Sequence, residues 1–229
     1  MECRLAALCL HKYKFNSIDL TNIPKLKAVQ ESYGVPLDSM LNQLDFTFAR
    51  DNKKAQEPYT RDEVLKQLQI SDEDLKKFVL SSNTQYMDSF WLYKRAEHVF
   101  SEALRVVQFG RICNNAGDNS NSSVKLGLLM DGSHWSCSKG YQCSSAELDT
   151  LTDAARDAGA LGFYTNLSNL FSTFFSNLYY KIAKTNYFKQ NLRVNRTFTL
   201  PFCLVLISSS HSKLEKKIQN VCFEFLTIF

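Results

Sequence analysis

The chain has 229 residues, 45% of them hydrophobic and 22% charged, which suits one large domain or two small ones with a sizeable buried core. Its formal net charge of +4 is too modest for the basic footprint of a nucleic-acid binder. The longest apolar run, Phe198 to Ile207, contains Pro201 and falls well short of the roughly 20 residues that span a bilayer.

The balance hides two unlike parts. Residues 1–162 hold 19 basic and 21 acidic residues, a net of −2, and residues 163–229 hold 8 and 2, a net of +6. All eight glycines lie in the first part, and 10 of the 17 phenylalanines in the second. Seven cysteines, at positions 3, 9, 113, 137, 143, 203 and 222, are odd in number and irregular in spacing, which points to reduced thiols and a cytoplasmic setting. The N-x-S/T sequons at Asn121, Asn166 and Asn195 matter only in a secreted chain. The apolar run Leu5 to Leu10, with Glu2 ahead of it and no cleavage site, is a poor signal peptide.

In chain order, Leu5, Leu8, Cys9 and Tyr13 recur at helical spacing, so the chain opens inside a helix. No capping residue precedes that helix, as though it were cut from something longer. Residues 25–33 and 37–49 read as two short amphipathic helices separated by Gly34-Val35-Pro36, followed by a polar loop over 50–58. Thr60 with Glu63 forms a capping box, and Ser71 opens a second start backed by acids at 72, 73 and 74. The longest helix is expected over 86–113, on the stripe Phe90, Tyr93, Ala96, Val99, Phe100, Ala103, Leu104 and Val107. A solvated loop at 114–123 leads to helices over 124–139 and 145–158, the last stopped by Gly159. Residues 1–162 therefore read as six or seven helices without a clear strand, a mainly α fold with an uncertain α/β tail. In that tail, 167–182 follows a helical period, 213–219 a Lys-rich helical turn, and 197–207 and 221–229 the β-branched and aromatic bias of strands.

Few residue groups suggest chemistry. His134, Cys137 and Cys143 offer no CxxC pair, so half-buried helix residues with reduced thiols are the favoured reading over zinc. Asp131, Ser133 and His134 hint at a hydrolase triad, but residues so close along one helix cannot all face one carbonyl. Glu147 and Asp149 sit at a helix start, where carboxylates stabilise the dipole, and that role is favoured over acid/base work. No GxxxxGK[ST] or GxGxxG occurs, and Ser208-Ser209-Ser210 has no glycine with which to wrap a phosphate.

Three stretches carry a family resemblance. MECRLAALCLHKYK at 1–14, SSNTQYMDSFWLYKRAEHVFSEALRVVQFGRIC at 81–113, and LGLLMDGSHWSC with YQCSSAELDTL within 126–151 resemble, in order and spacing, the C-terminal half of galactokinase-type sugar kinases. Ser-x-Asn-Thr-Gln at 81–85 and Tyr-x-Cys-Ser at 141–144 are most similar to N-acetylgalactosamine kinases. The resemblance covers residues 1–162 and implies the helical part of a GHMP kinase C-terminal half. The activity it implies is transfer of the ATP γ-phosphate, with Mg²⁺, to the C1 hydroxyl of galactose or N-acetylgalactosamine.

The departures bear on activity. The family's Gly-Arg-Val-Asn-x-Ile-Gly-Glu-His signature, its Gly-Leu-Ser-Ser-Ser loop and its catalytic aspartate have no counterpart here. After Gly162 the family's Ser-Arg-Leu-Thr-Gly-Ala-Gly run is replaced by Phe163-Tyr164-Thr165-Asn166, so 163–229 forms a second, divergent region. Phosphoryl transfer depends on positioning around the phosphates. The expectation is a truncated family product, inactive by itself, with no catalytic, substrate-binding, cofactor or metal residue assigned and no cofactor of its own. No nucleic-acid partner and no transmembrane segment are expected, and its exposed apolar faces favour self-association or chaperone binding. The alternative is a non-catalytic interaction or regulatory fragment.

Overall fold

The computed structural model describes residues 1–49, 54–114, 121–157, 159–166 and 202–207. The chain divides into two compact units, Met1–Val107 and Gln108–Phe229, and the described residues are mainly α-helical.

The first unit is organised around α1 (Glu2–Phe15). Leu5, Ala6, Ala7, Leu8, Cys9 and Leu10 are all buried, so this helix is enclosed on every side and not along one stripe. The run weighed above as a signal peptide is thus the centre of the core. Burial also pushes the Cys9 thiol up to about 12, so it stays protonated and packs as a small apolar group. α1 ends at Asn16, whose left-handed backbone returns an N–H to the Lys12 carbonyl at 2.7 Å. α2 (Leu26–Tyr33) stops at Gly34, where φ is +66°, and α3 (Leu37–Phe48) follows Pro36.

The capping box forms as expected. Thr60 Oγ1 accepts the Glu63 N–H at 3.3 Å, and Glu63 Oε2 accepts the Thr60 N–H at 2.7 Å, opening α4 (Arg61–Leu68). At the far end of α4, Lys12 Nζ donates to the Leu68 carbonyl at 2.9 Å. Ser71 caps α5 (Asp72–Asp74), which widens into a π-helical turn at Leu75–Val79.

The largest departure from the sequence reading lies ahead of α6 (Leu92–Asn114), which begins six residues later than expected. Residues 81–87 are turns instead, closed by Thr84 N–H to the Ser81 carbonyl at 2.8 Å and Met87 N–H to the Thr84 carbonyl at 3.1 Å. Ser89–Phe90 (β2) pairs antiparallel with Tyr59–Thr60 (β1), and the Asp88 carbonyl accepts the Arg61 N–H at 2.9 Å. These long-range bonds outbid the helical period that Phe90 shares with Tyr93. The start of α6 is held by Glu2, whose carboxylate accepts the Trp91 backbone N–H at 2.7 Å and Arg95 Nε at 2.6 Å. Both side chains of that ion pair are largely but not fully buried, at 14% and 11% exposed for Glu2 and Arg95, so removing one partner would leave the other poorly compensated.

The second unit contains residues 108–114 of α6, then α7 (Asn121–Trp135), a π-helical turn at Ser136–Tyr141, α8 (Ala146–Asp157), β3 (Ala160–Asn166) and β4 (Phe202–Ile207). Asn121–Ser123, read as loop, form the first turn of α7. β3 pairs antiparallel with β4, from Ala160 opposite Ile207 to Asn166 opposite Phe202, with an irregularity between Ala160 and Gly162. The reading of 1–162 without a strand is corrected by β1, β2 and the start of β3. Of the strand expected over 197–207, Phe202–Ile207 is present as β4, and 197–201 lie outside the described residues. The expected elements at 167–182, 213–219 and 221–229 lie outside the described residues.

Candidate functional site

The stretch from Gly127 to Gly162 folds into a helix–turn–helix–strand unit, with β3 lying against both α7 and α8. Gly127 on α7 and Gly162 on β3 meet backbone to backbone. A Cβ at Gly127 would stand 2.0 Å from the Leu161 carbonyl oxygen, and one at Gly162 would stand 2.4 Å from the Gly127 Cα. Side chains cannot occupy either position without moving the helix from the strand. α8 ends at Asp157, and the turn into β3 uses Gly159 at φ +88°, whose N–H reaches the Arg156 carbonyl at 2.8 Å.

Above this contact a polar cluster converges on Asp149. Ser138 Oγ and Ser144 Oγ each donate to its carboxylate at 2.7 Å, Lys139 Nζ approaches at 3.4 Å, and His134 Nε2 lies 3.2 Å away. Hydrogen bonds from the Ser138 and Ser144 hydroxyls hold the Asp149 carboxyl below the usual carboxylate value, with a smaller contribution from Lys139. A carboxylate only accepts, so His134 carries its hydrogen on Nε2 and turns Nδ1 toward Thr152 Oγ1 at 3.5 Å. The Thr152 hydroxyl itself donates to the Leu148 carbonyl at 2.9 Å. Burial pushes His134 below its ordinary value, against the opposing pull of Asp149. The pair is therefore a neutral imidazole held by an ionised carboxylate.

The sequence candidates separate in the structure. Asp131 does not join His134 but pairs with Arg156 Nε at 3.1 Å, so no triad assembles from Asp131, Ser133 and His134. His134, Cys137 and Cys143 are not brought together: among the described residues no three His, Cys, Asp or Glu side chains gather as a set of metal ligands. Glu147 and Asp149, read together as dipole carboxylates, have different roles. Glu147 is exposed at the helix start and lowered by the Ser145 hydroxyl, whereas Asp149 points into the polar cluster. Ser208-Ser209-Ser210 lies outside the described residues. Asp149 as an organising residue was missed. Its place in the first turn of α8, shared with Glu147, fits a dipole carboxylate, so no local signal set it apart.

These geometries make the cluster a positioning device for the turn between α7 and α8. Both Asp149 oxygens are already engaged. Among the described residues no helix is long and apolar enough to cross a membrane.

Comparison with known proteins agrees with the resemblance read from the three stretches. The chain is 37% identical over 177 residues to the galactokinase of Dictyostelium discoideum, a match covering 71% of this chain and 34% of that protein. It is 32% identical over 113 residues to the galactokinase of Saccharomyces cerevisiae, covering 48% of this chain and 21% of that protein. It is also 32% identical over 114 residues to the galactokinase of Candida albicans, covering 47% and 22%. No protein-family profile matches. The chain thus spans about a third or less of the length of these relatives. With 71% of its residues aligned at 37% identity, the chain belongs to the galactokinase family.

Proposed function

We propose that this chain carries the helical portion of a cytoplasmic sugar kinase and that the 229-residue chain taken alone is catalytically inactive. The parent reaction is the Mg²⁺- and ATP-dependent phosphorylation of the C1 hydroxyl of galactose or N-acetylgalactosamine. The supporting observation is the 37% identity to a galactokinase over only 34% of that enzyme's length. Within this chain no Gly-rich phosphate loop or sugar-binding signature occurs, and phosphoryl transfer draws its rate from groups arranged around the phosphates. The wording at 81–85 and 141–144 favours N-acetylgalactosamine as the parent substrate.

The test is purified full chain with ATP, Mg²⁺ and either sugar, followed by coupled ADP release and by ³¹P NMR for the sugar 1-phosphate. The expected result is no product above a heat-killed control. Turnover of either sugar overturns the reading and identifies the substrate.

A second reading rests on α7. Val124, Leu128 and Trp135 fall on one helical stripe and are 42%, 64% and 63% exposed. A helix apolar on two faces is suited to burial on both, and we infer that this stripe drives self-association or chaperone binding of the isolated chain. Light scattering at micromolar concentration is expected to show species larger than the 26.3 kDa monomer. A monodisperse monomer that binds no apolar dye removes this reading without touching the first.

A further inference from the structure

Cys137 and Cys143 stand at the two ends of one hydrogen-bonded turn. The π-helical segment closes at Gln142, whose left-handed backbone (φ 59°) reverses the chain. The Cys137 carbonyl accepts the backbone N–H of Gln142 and, at 2.9 Å, that of Cys143. With about 2.4 Å from Cα to its carbonyl oxygen and about 1.5 Å from N to Cα, that bond holds the two Cα atoms within about 6.8 Å. Disulfides span Cα separations of about 4.4–6.8 Å. In the analogous closure of an α-helix, the accepting and donating residues also bring their side chains into contact. There the partners are five apart; the wider π turn brings together residues six apart. Cys143 is exposed, Cys137 is half-buried, and both are thiols in this structure.

We propose that Cys137 and Cys143 form a reversible dithiol–disulfide site, oxidised by a small disulfide of the glutathione class. The exposed Cys143 thiolate attacks one sulfur of the small disulfide, forming a mixed disulfide and releasing one small thiolate. The Cys137 thiolate then attacks Cys143 Sγ, forming the Cys137–Cys143 bond and releasing the second. Two electrons pass from the cysteines to the small disulfide, and the protons they lose are taken up by the two departing thiolates. The ring so formed encloses Ser138, and Ser144 follows it directly. These are the two hydroxyls that donate to Asp149, so oxidation is coupled to the His134–Asp149 cluster.

The experiment uses the full chain in native buffer at graded ratios of reduced to oxidised glutathione, followed by alkylation and tryptic mapping. Lys139 lies between the two cysteines, so trypsin separates peptide 126–139 from peptide 140–156 unless the bond joins them. The expected result is that the joined pair becomes the major form of both peptides under oxidising ratios and reverts with dithiothreitol. It should persist in Cys113→Ser. In concentrated urea the linkages should scatter among the seven cysteines. Amide exchange over residues 144–149 should change several-fold between the two redox forms. The site is overturned if Cys143 stops at the glutathione adduct with Cys137 alkylated. It is equally overturned if Cys143 pairs with another cysteine in native buffer, or if the native and urea patterns are the same. Unchanged exchange over 144–149 overturns the coupling to Asp149.

Discussion

In the first unit, twenty-two buried hydrophobic residues form one connected cluster, and Thr47 is the buried polar residue among those described. Among the described residues of the second, the cluster is Cys113, Leu126 and Met130, while Ser133, His134, Ser136 and Thr152 are all buried. The first unit is thus held by apolar area removed from water, worth about 25 cal/mol per Å². The described part of the second features a glycine–glycine backbone approach and hydrogen bonds whose net worth is about 1 kcal/mol each. Apolar packing tolerates exchange between residues of similar volume; a polar cluster fails when one partner is lost. The two units should therefore respond differently to substitution, to acid and to oxidation.

Leu8→Ala should have the largest effect. It opens a cavity in a fully buried helix and should cost about 2–5 kcal/mol. Hydrogen exchange should quicken throughout 1–107; a loss below about 1 kcal/mol would mean that α1 is not the centre of this core.

Gly127→Ala sets two effects against each other. Alanine favours an isolated helix over glycine by about 1 kcal/mol, but its Cβ meets the Leu161 carbonyl at 2.0 Å. The clash should win, with a net loss of about 1–3 kcal/mol. Protection should fall in α7 and β3; a stabilised variant would show that the helix and strand do not approach as described.

Asp149→Asn removes the charge on which Ser138, Ser144 and His134 converge, and should cost about 1–3 kcal/mol. The related pH effect has a defined sign. His134 is lowered by burial in the folded chain, so the unfolded chain binds the proton more readily. The stabilisation is complete above the ordinary histidine value of about 6.5 and is lost as pH falls below it. His98 on α6 is also lowered, first by burial, and contributes in the same direction. Denaturant midpoints between pH 7.5 and 5 should drop, and His134→Gln should flatten part of the slope while His98 retains the rest. A midpoint that rises on acidification would reverse this assignment.

Thr60→Ala should have the smallest effect, about 1 kcal/mol, by removing one half of a capping box. Thr60→Ser should restore the loss. Equal effects for both would place the threonine's value in its methyl group.

Little of the candidate site was legible in the sequence. His134, Cys137, Cys143, Glu147 and Asp149 were singled out, but spacing was tested against templates for metals and triads. The side-chain pairings that form are His134 with Asp149 and Asp131 with Arg156, while the Cys143 backbone N–H bonds the Cys137 carbonyl. They depend on a π turn and on the packing of α8 beside α7, which a one-dimensional period does not encode.

Local signals determined where α4 and α5 start and where α2 and α8 stop. Thr60 with Glu63, Ser71, Gly34 and Gly159 act on backbone groups within one turn of themselves, so their effects can be read without knowing what packs nearby. Family membership was also legible, because three stretches retain their order and wording. Tertiary structure alone decided that α1 is buried on every face, that α6 begins at Leu92 and not at residue 86, and that Gly127 must remain glycine. Each of these depends on a contact between residues far apart in sequence, such as Glu2 with Arg95 or Tyr59 with Phe90. Such contacts outweigh local propensity because helix propensities differ by only fractions of a kcal/mol per residue, less than a set of long-range hydrogen bonds and a largely buried ion pair contribute together.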